Sequence, residues 1–225
     1  MFGETFPLSE GSGNTITGSN GTVGTINTSN AAGIDYINAN VWEEIVPQYE
    51  LNFDSANQDN ISFNTPVQFT DGSEFEIELN SYDVTLRAFG GVNTNTYIII
   101  FFNSISFKLN SLTSYPLSTS SPNPSRGVFK FTYNSNVIEA FIDGVSVGTI
   151  TTNGESADFT QINGRATTDR FNCELKSFSL NGESFSLSEG SGNTITGDNS
   201  GVATINTSNA AGIAYIDANV WEEIV

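Results

Sequence analysis

Glu74-Phe-Glu-Ile-Glu78 is the row in this sequence where carboxylates recur at a spacing that catalysis uses. Their alternation with Phe75, Ile77 and Leu79 reads as a strand with one apolar and one acidic face, so the three carboxyls share a face. Two such groups cleave a glycosidic bond with retention when one attacks while the other protonates the leaving oxygen, at a carboxyl separation of about 5–5.5 Å. Neighbours in the row lie roughly 7 Å apart along the strand, and the outer pair nearer ~13 Å. Both tryptophans that could line sugar subsites, Trp42 and Trp221, stand outside this part of the chain. A solvated face of a strand near a sheet edge explains the row better than catalysis, and the chain is expected not to be an enzyme.

Other chemistry is thinner. There is no His, which removes the commonest general base and any nucleophile–His pair. Gly11-Ser-Gly13 and Gly90-Gly91 lack the Lys and the following helix of a phosphate-binding loop. Asp54, Asp59 and Asp71 stand in predicted turns and are the candidates for Ca²⁺, the only cofactor considered. Their spacing matches no EF-hand loop, and capping and turn formation explain them better. Tyr82, Tyr97, Tyr115 and Tyr133 have the rings for stacking on a sugar, although tyrosines alternating along strands pack more often than they bind. Cys173 lies in a predicted strand and reads as a buried packing residue; alone, it also excludes an intrachain disulfide.

The elements that must hold these residues are strands. The 225 residues are 37% hydrophobic and only 14% charged, with 17 Phe and 7 Tyr. That length and composition suit one large all-β domain with extensions, or two small domains. A net charge of −18 argues against nucleic acid and against anionic membrane surfaces as partners. The seven basic residues all fall between Arg87 and Lys176. The longest apolar run, Tyr97–Phe102, is strand length and is expected to be an internal strand, since exposed it would aggregate. Residues 1–15 hold no basic start and no continuous apolar run, so no signal peptide is read there.

Val128–Tyr133, Val137–Ile142 and Val145–Ile150 read as three strands joined by the turns Asn134-Ser135-Asn136 and Asp143-Gly144, an antiparallel meander. Phe159–Ile162, the turn Asn163-Gly164-Arg165 and Phe171–Leu180 follow, while 112–126 reads as a long surface loop. Upstream, Tyr49-Glu-Leu-Asn-Phe-Asp54 and Asn60-Ile-Ser-Phe63 open the domain. This order, with "IEAFIDGVSVGT" and "FNCELKSFSLNG", resembles a laminin G-like domain, the concanavalin A-like lectin sandwich. The resemblance spans roughly residues 47–187. It implies an antiparallel jelly-roll β-sandwich, contact with glycans, and Ca²⁺ at a loop rim. Retaining glucanases on this sandwich carry Glu-x-Asp-x-Glu on a strand, and Glu76 departs from that pattern.

The two ends of the chain repeat each other. Residues 2–46 align without a gap to residues 181–225, at an offset of 179, with 36 of 45 positions identical. The expected organisation is therefore a connector over residues 1–46, a laminin G-like sandwich over 47–187, and a second connector over 188–225 whose repeat begins near 181. A segment this short cannot bury enough surface to fold alone and must lie along a sandwich, its own or a neighbour's. Trp42, Trp221, Ile45 and Ile224 are the apolar anchors, with a short helical turn expected over 40–45 in each copy. A lectin-like module with this connector resembles modular phage proteins, which implies a virion appendage (a tail or head fibre, or a decoration protein) whose partners are copies of itself, other virion subunits and a cell-surface glycan. A bacterial extracellular adhesin or filament subunit of tandem modules is the second expectation, and a glucanase-like enzyme the third.

Overall fold

A computed structural model of the chain describes residues 12–40, 48–83, 85–110, 113–119, 122–164 and 170–224. The chain forms two compact units, Met1–Val46 and Pro47–Val225. In the first, β1 (Thr15–Thr17) and β2 (Val23–Thr25) pair antiparallel as a two-stranded sheet, and α1 (Ile34–Asn40) follows, with Ile37 buried.

The second unit is a sandwich of two eight-stranded antiparallel sheets. In chain order its strands are β3 (Gln48–Phe53), β4 (Asn60–Phe69), β5 (Ser73–Tyr82), β6 (Thr85–Gly90), β7 (Tyr97–Phe101), β8 (Ser104–Lys108), β9 (Tyr115–Ser118), β10 (Gly127–Asn134), β11 (Val137–Ile142), β12 (Val145–Thr151), β13 (Ala157–Ile162), β14 (Cys173–Leu180), β15 (Glu183–Phe185), β16 (Thr194–Thr196), β17 (Val202–Asn206) and, after α2 (Ile213–Asn219), β18 (Trp221–Ile224). One sheet runs β12-β11-β10-β5-β14-β3-β18 with β15 paired to β14; the other runs β16-β17-β4-β13-β6-β7-β8-β9.

Alternation builds the core. On β5, Phe75, Ile77 and Leu79 point inward; on β10, Phe129, Phe131 and Tyr133 do the same. From the opposite sheet come Phe69, Phe89, Phe107 and Phe159, whose rings meet those of Phe75 and Phe131 with centroids 4.9–6.4 Å apart. The hairpin loops Ser135-Asn136, Asp143-Gly144 and Asn181-Gly182 hold both residues at positive φ, the turn whose twist suits paired strands. β7 lies between β6 and β8 with Ile98, Ile99 and Ile100 buried, the internal place its apolar run requires.

Three expectations need correction. β5 is not near an edge: β10 and β14 flank it. The stretch 112–126 is not all loop, because Tyr115–Ser118 forms β9 at the sheet edge, where Pro116 costs no ladder bond that a central strand would need. Within the second repeat, the helical turn expected at 219–224 is strand β18, and the helix lies earlier, at Ile213–Asn219.

That repeat is also not a separate domain. β17 adds to β4, with Ala203 opposite Phe63, and β18 adds to β3, with Trp221 opposite Leu51. The segment crosses from one sheet to the other and supplies an outer strand to each, so a division at residue 187 separates strands that share both sheets. The physical reason is its apolar face: Leu187, Ile195, Ala203, Ile205, Ile216 and Val220 are all buried in the common core.

Candidate functional site

At one end of the sandwich the loop after β3 meets the second repeat. Asp54 caps the 3-10 turn Ser55–Asn57: its Oδ1 accepts from the Ala56 amide at 2.8 Å, and its Oδ2 from Asn57 Nδ2 at 2.7 Å. Gln58 then takes a left-handed conformation that turns Asp59 inward. Asp59 is fully buried, and its Oδ2 accepts from the Asp54 amide at 3.1 Å and the Tyr215 hydroxyl at 3.0 Å. Burial pushes the Asp59 carboxyl up, against the hydrogen bonds that favour its charge. Burial also pushes the Tyr215 hydroxyl up to about 12, with its bond to Asp59 acting in the same direction.

The repeat is sewn to this loop through one carbonyl. Asn57 O accepts from the Ser208 amide at 2.7 Å, Ser208 Oγ at 2.9 Å and Thr207 Oγ1 at 3.2 Å, while Asn57 Oδ1 accepts from Asn209 Nδ2 at 3.0 Å. Behind it, buried Asn163 donates to Asp59 O at 3.0 Å and Phe171 O at 2.8 Å. The result is an open polar cleft of about 550 Å³ walled by Asn52, Asp54, Asn57, Asn172, Tyr215 and Asn219. Its amides are held in place: Asn52 donates to Glu222 Oε2 at 2.7 Å, Asn172 Oδ1 accepts from the Ser55 amide at 2.9 Å, and Asn219 donates to Tyr215 O at 3.1 Å. Each carries more donors and acceptors than these bonds use.

Of the three aspartates singled out from sequence, Asp54 and Asp59 come together here; Asp71 sits in the β4–β5 turn, accepting from the Ser135 amide. A calcium ion takes six to eight oxygens, yet both Asp54 oxygens and Asp71 Oδ1 serve local N–H groups and Asp59 is walled in. Among the described residues, no group of three or more His, Cys, Asp or Glu is placed to hold a metal.

The glutamate row lies on the outer face of β5. Glu74 pairs with Lys130 Nζ at 2.8 Å, Glu78 accepts from Ser177 Oγ at 3.2 Å, and Glu76 stands opposite Lys130 and Ser179 on the flanking strands. Three of the four tyrosines belong to the core. Tyr82 packs edge-on against Phe129, and burial lifts its hydroxyl to about 12; Tyr133 donates to Glu155 O at 2.8 Å; Tyr115 donates to Glu155 Oε1 at 2.6 Å. Tyr97 is half-buried beneath the Arg87 guanidinium, 5.3 Å from its ring. Cys173 is buried, which pushes its thiol up and leaves it inert.

Trp221 is buried in its own sandwich, edge-on to Tyr49 with centroids 6.0 Å apart, and Nε1 donates to Gly192 O at 2.8 Å. Ile224 is exposed at the end of β18. Trp42, Ile45 and Arg165 lie outside the described residues. Sequence reasoning missed Asn172, Tyr215 and Asn219. One signal was present for the last two: Tyr36/Tyr215 and Asn40/Asn219 are identical in the repeat while Asp35/Ala214 and Asn38/Asp217 beside them differ.

No protein-family model matches the chain, and no curated protein sequence does. Solved structures do resemble it. A putative carbohydrate binding protein from Bacteroides ovatus is 13% identical over 75% of this chain, with a TM-score of 0.50; the chain spans 62% of that protein's length. A native heptameric SAP-like pentraxin from Limulus polyphemus is 8% identical over 61% of this chain and 77% of its own, with a TM-score of 0.49. The galectin LEC-6 from Caenorhabditis elegans is 13% identical over 54% of this chain and 96% of its own, with a TM-score of 0.29. The two facing antiparallel sheets, and the likeness to the Bacteroides ovatus structure, give the fold as a jelly-roll β-sandwich.

Proposed function

We propose that the chain is a non-enzymatic surface-contact module that takes a sugar into the amide-lined cleft, and that it works in a virion appendage assembled through its connectors. The cleft is the observation that carries the sugar reading. A pyranose offers hydroxyl edges that pair with amides and carboxylates and a C–H face that packs on a ring. Asn52, Asn172 and Asn219 supply the first, and Tyr215 the second. Fixed groups of this kind lose little entropy on binding. The likeness of the fold to a putative carbohydrate-binding protein supports the same reading. Against catalysis stands the glutamate row, with Glu74 neutralised by Lys130 and Glu78 held by Ser177 on the face of a central strand. The laminin G-like order of strands and the phage-like connector support the virion setting.

The test is titration calorimetry of the full chain against a panel of mono- and oligosaccharides. Saturable binding is expected, weakened about tenfold or more in the Asn52→Ala/Asn219→Ala variant, because two hydrogen bonds of about 0.5–1.5 kcal/mol each are removed and about 1.4 kcal/mol is tenfold. The same glycans stay uncleaved. An absence of any saturable ligand, or hydrolysis abolished by Glu74→Gln, overturns this reading.

A further inference from the structure

We infer that residues 12–40 are a second closing segment, shaped to take, in a second copy of this chain, the seat that residues 191–219 fill in their own sandwich. The inference deepens the proposed assembly role by naming the surface through which copies join.

The segment already has the seated conformation, bond for bond. In β1–β2, Thr15, Ile16 and Thr17 pair with Thr25, Gly24 and Val23; in β16–β17, Thr194, Ile195 and Thr196 pair with Thr204, Ala203 and Val202. The Ile26 amide donates to Asn14 O at 2.7 Å, and the Ile205 amide to Asn193 O at 2.8 Å. Ahead of each helix, the Asn30 amide donates to Thr28 Oγ1 at 3.0 Å and the Asn209 amide to Thr207 Oγ1 at 3.1 Å. The side chain at Asn38 accepts from the Gly13 amide, as Asp217 does from Gly192. A segment that keeps this shape as a two-stranded sheet of its own pays little ordering entropy to dock.

Most of its seat-facing residues are also unchanged. Asn206, Thr207, Ser208 and Asn209, which bind Asn60, Ser62 and Asn57, recur as Asn27, Thr28, Ser29 and Asn30. Ile195 and Ile205, buried against the core, recur as Ile16 and Ile26, which are only half-buried. Ala203 sits opposite Phe63, and its counterpart Gly24 is smaller, so no clash arises. The remaining differences fall at Ser19, Gly21, Asp35 and Asn38, whose counterparts Asp198, Ser200, Ala214 and Asp217 are exposed, and at Thr22, whose counterpart Gly201 is half-buried where a Cβ would meet the Glu183 side chain at 2.9 Å, so that this flexible carboxylate must shift to seat it. The tethered segment has the advantage of effective concentration, so exchange emerges when it is disabled.

The receiver for the test is the full chain carrying Ile16→Asp, Ile26→Asp, Ile195→Asp, Ile205→Asp and Ser62→Cys, so that neither of its own segments can seat. The donor is the otherwise natural chain with Thr25→Cys. Thr204 is the strand partner of Ser62, and Thr25 is its repeat counterpart. Mixing and mild oxidation should crosslink the two chains at least fivefold above a Ser19→Cys donor. Excess unlabelled natural chain should raise the receiver's thermal midpoint by about 5 °C or more, or restore its folding if it is unfolded alone. A donor carrying Ile16→Asp and Ile26→Asp should do neither. A crosslink no stronger than that of the Ser19→Cys donor overturns the inference. Light scattering and glycan titration of the unaltered chain test the parent reading, so either can fail alone.

Discussion

At the scale of single residues, two acids are held in places that disfavour their charge. Burial raises the Asp59 carboxyl; burial, then Glu174 and Glu222, raise that of Glu50, with Asn80 and Lys176 opposing. Glu50 stands directly opposite Glu222 across β3 and β18, a like-charge pair that weakens the strand pairing. Because the folded-state value exceeds the unfolded one, each group contributes stability that is full below its ordinary value, 3.8 for Asp59 and 4.5 for Glu50, and lost as pH rises through the folded-state value. Thermal melts between neutral pH and those ordinary values should show wild type gaining on Asp59→Asn and on Glu50→Gln as the pH falls. Differences independent of pH would mean that neither carboxyl titrates in the fold.

At the scale of elements, the final strand is a structural member of the sandwich that precedes it. Trp221 packs on Tyr49 and ties β18 to the loop before β16 through Gly192. Trp221→Ala should therefore destabilise the fold by about 3–5 kcal/mol, read as a fall in melting midpoint on the order of 10 °C. A melt unchanged in the variant, with assembly alone weakened, would return Trp221 to the intersubunit role read from sequence. Much of this architecture was legible because it follows local rules. The alternation at Phe75-Ile77-Leu79 and Phe129-Phe131-Tyr133 has one face to bury, and Asp143-Gly144 has one turn to make. What was not legible depends on long-range partners. Nothing in Trp221-Glu-Glu-Ile224 distinguishes a helical turn from a strand until β3 is beside it. The cleft escaped notice for the same reason: Asn52, Asn172 and Asn219 are ordinary surface amides until the chain brings three distant stretches together.

At the scale of the whole molecule, charge governs how copies meet. Twenty-five acidic residues against seven basic ones leave −18, and residues 1–46 contribute five acids and no base. A donor segment approaching the sandwich of another copy is repelled at long range, while the seat itself is held by amides, hydroxyls and buried isoleucines that salt does not screen. Screening shortens the reach of the repulsion from about 10 Å at 0.1 M salt to about 3 Å at 1 M, and leaves apolar and neutral hydrogen-bonded contacts in place. Pairing of the receiver carrying the disabled segments with the natural chain, followed by light scattering at constant protein concentration, should therefore rise with sodium chloride and saturate once the screening length falls below the contact distance. The rate should respond more than the final extent, since long-range charge acts mainly on encounter. Assemblies that dissolve as salt is raised would place the interface on charge pairs instead, at the basic residues of the sandwich rather than at its closing seat.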